Sequence, residues 1–512
     1  MNFQTIPEII NYNARLFPTE DAVIFEDSRV TCDQLKKRVD QRANALLELG
    51  VSHGDHVASV SINSMEYVET MLAVWALGAV NVTINWRLSA EELIYVINQC
   101  QAKYLIFQDQ FSNTIKEIKA SLTHVQKYLV FEGSSFPGVI DFSSMIAKAP
   151  ETESSATVKN SDIATIIYTS GTTGRPKGVV ASHKNWIASC DAVRDAAGDY
   201  FEDHPKSLFS GPFFHSGGLM NMLICLYFSS PQVIMKKFTP VDFLNWIENE
   251  KINRIQGVAS LYNMILQAPK LEQYNLSSVD FIGSGAERMA DETRKRFGEI
   301  FPGAEIFESY AMTETCASTT FRYREGSYDK NTSVGKPKGD IEVRVADEKG
   351  SDLPPGTPGE VLVRGPNIMQ GYYNDPEKTS QAIQNGWLYT GDLGQTDEDG
   401  FLYILERKND MIKTGGENIY PKEVENAIYQ HPEVVEAAVF GIPDDIWGQK
   451  VCAAVVLEKN AEVSEADIID FCKSHVASFK KPKHVFFIDS LMRTPSGKIQ
   501  RSALRDQFLN LL

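Results

Sequence analysis

From Thr5 to about Tyr323 the chain alternates segments of helical periodicity with short β-branched runs, and this alternation limits the folds open to it more than any other feature. Cys32 to Leu49 and Ala90 to Gln99 read as amphipathic helices, while Tyr104 to Gln108, Ile163 to Tyr168 and Val279 to Ile282 read as strands. Such alternation assembles as α/β layers around mainly parallel sheets. Between about Asn331 and Leu405 the texture changes. Ile341 to Val345, Glu360 to Arg364 and Phe401 to Leu405 are short runs parted by Gly/Pro turns such as Leu353-Pro-Pro-Gly-Thr-Pro-Gly359, which suits a small β-barrel or sandwich. Beyond Asp410, Pro421 opens a helix, Lys450 to Glu458 reads as a strand, Glu465 to His475 as a helix and His484 to Ile488 as a strand. The expected fold is therefore α/β: a large N-terminal domain of layered sheets plus a small β-barrel near 331–405, joined by the polar segment Glu406-Arg-Lys-Asn-Asp410 to an α+β C-terminal domain.

A length of 512 residues suits roughly two to four structural units. The net charge of -17 argues against a nucleic-acid partner, since binding a phosphate backbone needs basic surface. One stretch departs from this balance: Lys473, Lys480, Lys481, Lys483, Arg493, Lys498, Arg501 and Arg505 face only Asp489 in sequence, which reads either as solvated surface or as a dock for a polyanionic small molecule. Seven scattered cysteines, none in a CxxC pair, indicate neither a disulfide framework nor a zinc site, so a reducing cytoplasm is the expected setting. The first residues lack the pattern of a signal peptide, and the most apolar stretch, Met71 to Val80, is about half of the roughly 20 residues a membrane span requires. No transmembrane segment is expected. Peripheral membrane contact and a homodimer stay open.

The most informative segment is Tyr168-Thr-Ser-Gly-Thr-Thr-Gly-Arg-Pro-Lys-Gly178, which follows the apolar run Ile163 to Ile167. Three glycines, four hydroxyls and a lysine after a strand can wrap polyphosphate oxygens with backbone N–H groups and hydroxyls. It is not a GxxxxGK[ST] loop, because neither Ser nor Thr follows Lys177. An α/β-hydrolase is excluded separately, for no GxSxG nucleophile elbow occurs.

This segment resembles the first signature of the adenylate-forming superfamily, which comprises acyl-CoA synthetases, adenylation domains of peptide synthetases, and luciferases. The other signatures follow in the family's order: Phe213-Phe-His215, Gly283-Ser-Gly-Ala286, Tyr310-Ala-Met-Thr-Glu314, Tyr389-Thr-Gly-Asp392, Glu406-Arg407, Lys413-Thr-Gly-Gly-Glu-Asn418 and Pro495-Ser-Gly-Lys498. The resemblance implies an acyl-CoA synthetase that uses ATP, magnesium and coenzyme A on a small-molecule carboxylic acid. A stand-alone enzyme loading a carrier-protein thiol is the alternative. An inactive acyl-nucleotide sensor would be expected to lack Lys498 or Glu314, and both are present.

Roles carried over from the family fall on matching positions. ATP and AMP binding is implied for Thr169, Ser170, Gly171, Thr172, Thr173, Gly174, Lys177, Gly285, Ala286, Glu308, Ser309 and Tyr310, with Asp392 and Arg407 on the ribose. Catalytic roles fall to Lys498, Thr313, Glu314 and His215, and Glu314 is the magnesium ligand, a hard oxygen donor to an ion that keeps several waters. The acyl pocket is assigned to Phe214, His215, Gly283, Ser284 and Ala311, and the apolar residues Phe213, Met220, Met222, Leu223 and Ile224 nearby favour a fatty or other hydrophobic acid. CoA is assigned to Lys413, Gly415, Gly416, Glu417, Phe479, Lys481 and Lys483. Residues 409–512 are expected to form a mobile lid, hinged at Asn409, on a domain of residues 1–408. Ala311 and Glu406 depart from the family, which has glycine at both positions, and Asn409 stands where Asp or Lys is usual.

Overall fold

The computed structural model describes the chain apart from residues 1, 134–135, 155, 170–174, 286–288, 290, 322–329, 331, 416, 460, 494–498 and 510–512. Two compact units emerge, one of residues 1–343 with 363–388, the other of residues 344–362 with 389–512.

The first unit holds two eight-stranded sheets. One runs, in spatial order, Thr320–Phe321, Glu305–Tyr310, Phe281–Ser284, Arg254–Gly257, Ser207–Phe209, Gln232–Ile234, Asp21–Phe25 and Ser28–Thr31, parallel except at its two edges. The other runs Gly371–Tyr372, Lys177–Ser182, Ile163–Thr169, Val80–Ile84, His56–Val60, Tyr104–Phe107, Lys127–Val130 and Val139–Asp141, where only Lys177–Ser182 lies antiparallel to its neighbours. Several helices start where the sequence supplies a capping side chain. Ser89 and Glu92 form a capping box at Ala90–Gln99, each satisfying a backbone N–H that a helix start would leave bare. Burial on both faces explains the continuous apolar strands, such as Tyr104–Phe107 with every residue buried. A further five-stranded sheet is built from Glu342–Ala346, Gly359–Arg364, Ile383–Gln384, Trp387–Thr396 and Leu402–Arg407.

Within the second unit the strands Val434–Asp444, Gly448–Leu457 and His484–Phe487 form a sheet, accompanied by helices Pro421–Ile428, Glu465–Lys473 and Arg501–Leu509. Ser464 and Asp467 cap the second of these helices as a box. All seven cysteines are buried and free, and burial pushes the Cys32 and Cys472 thiols up to about 11. Among the described residues no helix is long and apolar enough to cross a membrane.

One buried group makes stability depend on pH. His183 opens helix His183–Ala197, is wholly buried, and accepts the Ile6 N–H on its Nδ1 at 3.3 Å. Burial penalises the imidazolium and lowers the folded pKa from 6.5 to about 4. The unfolded chain therefore binds more protons between these values, so stability is full above about pH 6.5 and falls as pH drops towards 4, by about 3 kcal/mol in all. Urea unfolding at steps across that range should show this loss. His183→Leu should start less stable but follow a flatter pH profile; an unchanged slope would remove His183 as its source.

Candidate active site

In the first unit, the residues implied for nucleotide chemistry come from different elements. Strands Ile163–Thr169 and Lys177–Ser182 form a hairpin in which Thr169 pairs with Lys177. The tip, with Ser170, Gly171, Thr172, Thr173 and Gly174, lies outside the described residues, as do Ala286, Gly416 and Lys498. Lys177 stands at the last described pair of the hairpin, opposite Thr169. Its Nζ donates to the Tyr372 hydroxyl at 3.1 Å and sits 4.2 Å from the centre of that ring. The same hydroxyl donates to Glu314 Oε1 at 2.8 Å. Tyr372 thus links the loop lysine to the carboxylate, although nothing near it in sequence singles it out.

Glu314 sits in the short turn Thr313–Thr315, after the strand that ends at Tyr310. It is buried at 7% exposure. The Asn367 amide draws the turn inwards by donating to the carbonyls of Thr315 and Ser318. Cys316 and Ala317 then take left-handed backbone angles, φ 48° and 60°, a strained pair for residues bearing a Cβ. A lone buried carboxylate with one neutral donor retains coordinating capacity, and magnesium bound through phosphates needs few protein carboxylates. No cluster of three or more His, Cys, Asp or Glu suited to a metal occurs among the described residues, and magnesium held this way requires none.

Thr313 and Ser216 share a hydrogen bond of 3.1 Å between hydroxyls, which brings the turn against the start of helix Ser216–Tyr227. His215 is the N-cap of that helix, its ring 4.4 Å from that of Phe214. Of the apolar residues near the implied acyl pocket, Phe213, Met220, Met222, Leu223 and Ile224 belong to the main hydrophobic core. Gly283 and Ser284 end a neighbouring strand, and Phe307 stands beside Gly283 in register. Ala311 is not among the residues with left-handed φ, so the departure from glycine is accommodated without that strain. The Glu308 carboxylate pairs with Arg294 at 2.6 Å and accepts the Met289 N–H at 3.0 Å. Tyr310 is buried at 9% exposure, and Ser309 Oγ lies 3.6 Å from where a Cβ on Gly285 would stand.

Within the second unit, Asp392 and Arg407 are direct cross-strand partners, with Arg407 Nε 2.9 Å from Asp392 Oδ1. Gly391 turns at φ 71° and donates its N–H to Glu360 Oε1, while Arg407 Nη1 donates to the Thr390 carbonyl. Glu406, where the family has glycine, is fully buried and accepts the N–H groups of Arg407 and Lys422, the latter in the first turn of helix Pro421–Ile428. Asn409 is exposed in the turn closed by the Asp410 N–H onto the Arg407 carbonyl.

Lys413 and Glu417 lie on the small hairpin Ile412–Thr414 and Glu417–Ile419. Gly415 in its turn has φ 57°, and a Cβ there would come within 2.9 Å of the Trp447 ring. Trp447 and Ile446 are exposed at 55% and 82%, and Phe479 at 44%. Sequence reading passed over Trp447, though an exposed Trp beside a glycine-rich turn is a signal. Five of the eight cations in the basic tail form ion pairs: Lys473, Lys480, Arg493, Arg501 and Arg505. Lys481 and Lys483 have no carboxylate partner among the described residues, and burial, reinforced by Lys483 and Lys473, holds the Lys481 ammonium below its ordinary pKa.

This layout agrees with comparisons over the whole chain. Residues 10–373 match the AMP-binding enzyme family and residues 423–498 its C-terminal domain. A CoA ligase for a methyl-dioxo-octahydroindenyl propanoate from Rhodococcus jostii is 33% identical, covering 98% of each chain. The 2-succinylbenzoate–CoA ligase of Bacillus velezensis is 34% identical, again covering 98% of each. Among solved structures, o-succinylbenzoate CoA synthetase from Bacillus subtilis is similar both with its acyl-adenylate (32% identity, 98% of each chain, TM-score 0.86) and with ATP and a magnesium ion (31% identity, 97% of this chain and 99% of that one, TM-score 0.85). The chain belongs to the adenylate-forming superfamily of AMP-binding enzymes, in its CoA ligase branch.

Proposed function

We propose that this chain is an ATP-dependent carboxylic acid:CoA ligase acting on a fatty or other hydrophobic acid. The carboxylate attacks the α-phosphorus of ATP to give acyl-AMP and pyrophosphate; the CoA thiol then attacks the acyl carbonyl and AMP leaves. The observation that carries this reading is the chain Lys177–Tyr372–Glu314, which gathers an ammonium, a phenol and a carboxylate beside Thr313 and Ser216. Lys177 would meet phosphate oxygens, Glu314 would hold magnesium, and magnesium would supply charge neutralisation on the phosphates when bound. Asp392 and Arg407 would position the ribose, and Lys498 the α-phosphate and carboxylate. Free CoA as acceptor is supported by Lys481 and Lys483, which form no ion pair among the described residues, and by exposed Phe479 and Trp447. Residues 409–512 would act as the lid, turning at Asn409. An apolar acid is supported by the partly buried ring of Phe307 beside Gly283.

Pyrophosphate release across fatty, aryl, sterol-like and amino acids, with and without CoA, tests this. An apolar acid should give the highest turnover, with CoA consumed mole for mole. An amino acid as best substrate with CoA untouched would replace this reading with carrier loading.

A further inference from the structure

Strand Arg254–Gly257 lies in the middle of its sheet, and residues two apart on a strand share a face. Arg254 and Gln256 therefore point the same way, with Ser207 and Phe281 beside Arg254 in register and Gly283 beside Gln256. Parallel sheets of this kind bind ligands at the carboxyl ends of their strands, the end towards which Gln256 and Gly283 are displaced from Arg254.

Arg254 is 4% exposed. Its Nη1 donates to Asn221 Oδ1 at 2.7 Å and to Ser207 Oγ at 3.4 Å, its Nη2 donates to Gln256 Oε1 at 3.5 Å, and its Nε is buried without a partner. The guanidinium lies 5.8 and 5.5 Å from the ring centres of Phe201 and Phe281, and no carboxylate pairs with it among the described residues. A buried cation with only neutral acceptors is costly to keep. It also fixes its neighbour. A guanidinium has no acceptor, so the Gln256 carboxamide must turn its oxygen towards Arg254. Its Nε2 is then the group left to face outwards; it has no hydrogen-bond partner among the described residues and, unlike the Arg254 Nε, is not sealed from solvent. Gly283 makes the arrangement fit, because a Cβ there would fall on the Gln256 amide oxygen.

We infer that Gln256 is a specificity-determining residue, oriented by Arg254, that selects a hydrophobic acid bearing an oxo or carboxylate oxygen on its apolar body. The inference rests on the ligase reading and narrows its substrate class. The Gln256 N–H groups meet the oxygen, and the uncompensated charge of Arg254 behind the amide polarises them towards an acceptor. A purely hydrocarbon acid would leave these donors desolvated and unpaired.

Three acids of one carbon skeleton test this: the plain hydrocarbon acid, its oxo derivative and its dicarboxylate, assayed by CoA-dependent pyrophosphate release. The wild-type enzyme should favour the better of the two acceptor-bearing acids in kcat/KM by about 10- to 100-fold, the scale for leaving a buried donor unpaired. Gln256→Leu, at a half-buried position, should keep its unfolding temperature and lose the preference through KM, with kcat little changed. Gly283→Ala, which displaces the amide, should lose it likewise. Arg254→Lys, keeping a donor and a charge, should retain part of the preference, whereas Arg254→Met should not. Equal or better use of the hydrocarbon acid by the wild type, or an undiminished preference in Gln256→Leu, overturns the inference and leaves the ligase reading standing. Absence of turnover with every acid of the wider panel overturns both.

Discussion

Lys498→Ala should lower acyl-adenylate formation by about 10²- to 10³-fold, the scale for removing one charge contact made in the transition state. As pyrophosphate departs, negative charge shifts between the α-phosphate and the attacking carboxylate, and a preorganised ammonium stabilises it without solvent reorganisation. Lys498 lies outside the described residues, but Arg493 and Ile499 pair as an antiparallel bridge across the segment that holds it, and the Gln500 N–H donates to the Met492 carbonyl. Thioester formation from supplied acyl-AMP should largely survive, because the second half-reaction is proposed to present another face of the lid. Asn409→Pro should act in reverse: proline fixes φ near roughly -65° at the exposed turn where rotation is proposed, so acyl-AMP forms while its transfer to CoA slows. Single-turnover measurements of each half-reaction decide the matter. If both variants stay folded and lose both steps in equal proportion, the two-orientation mechanism is wrong for this chain and Lys498 has a general structural role.

The elements most legible in the sequence were those whose signal is local. Ala90–Gln99 is a helix over the residues its periodicity marks, with Ser89 and Glu92 supplying the start, and Ile163–Thr169 is the strand that delivers the phosphate-loop segment. Val434–Asp444 was not legible, since Gly441 and Pro443 interrupt it and its support comes from pairing along Gly448–Leu457. Of the site, the motif residues could be named in order, but their partners could not. Tyr372 meets residues 58 and 195 positions away. Glu314 is named by its motif, but its burial, in a turn that Asn367 holds from 52 and 49 positions away, is not legible there. Asp392 and Arg407 carry separate signatures, whereas their pairing follows from hairpin register past an irregularity at Leu393/Gly394. Gly283 is named only through its motif, whereas its want of a side chain is explained by the Gln256 amide lying across it. Long-range packing, invisible to periodicity, accounts for each of these.

Arg501→Leu should destabilise the second unit by about 3–5 kcal/mol, the cost of stranding a buried carboxylate by deleting its cation. Arg501 opens the last helix and is mostly buried. Its Nη2 donates to both Glu425 oxygens, at 2.8 and 2.9 Å, its Nε to one of them at 3.2 Å, and Asp410 stands 3.7 Å from Nη1. Burial alone would lower the guanidinium's pKa, but Glu425, Glu406 and Asp410 outweigh it and hold the group above the ordinary arginine range. Glu425 in turn accepts the Val439 N–H at 2.8 Å, so this one carboxylate joins two helices to the long strand. Arg501→Lys should lie between wild type and Arg501→Leu, because an ammonium keeps the charge and loses the fork that matches a carboxylate. Because the chain has two units, the loss should be read by hydrogen exchange in residues 421–509 rather than from one melting temperature. Burial already holds the Glu425 carboxyl above its usual range with Arg501 present, so the stranded group can escape its penalty by taking a proton, and the destabilisation should be smaller at pH 5 than at pH 8. Glu425→Leu combined with Arg501→Leu should recover part of the loss, since an apolar pair in place of a buried ion pair is often neutral. A single-variant effect below about 1 kcal/mol, the range of exposed pairs, would show that the cluster is solvated and does not tie helix to hinge.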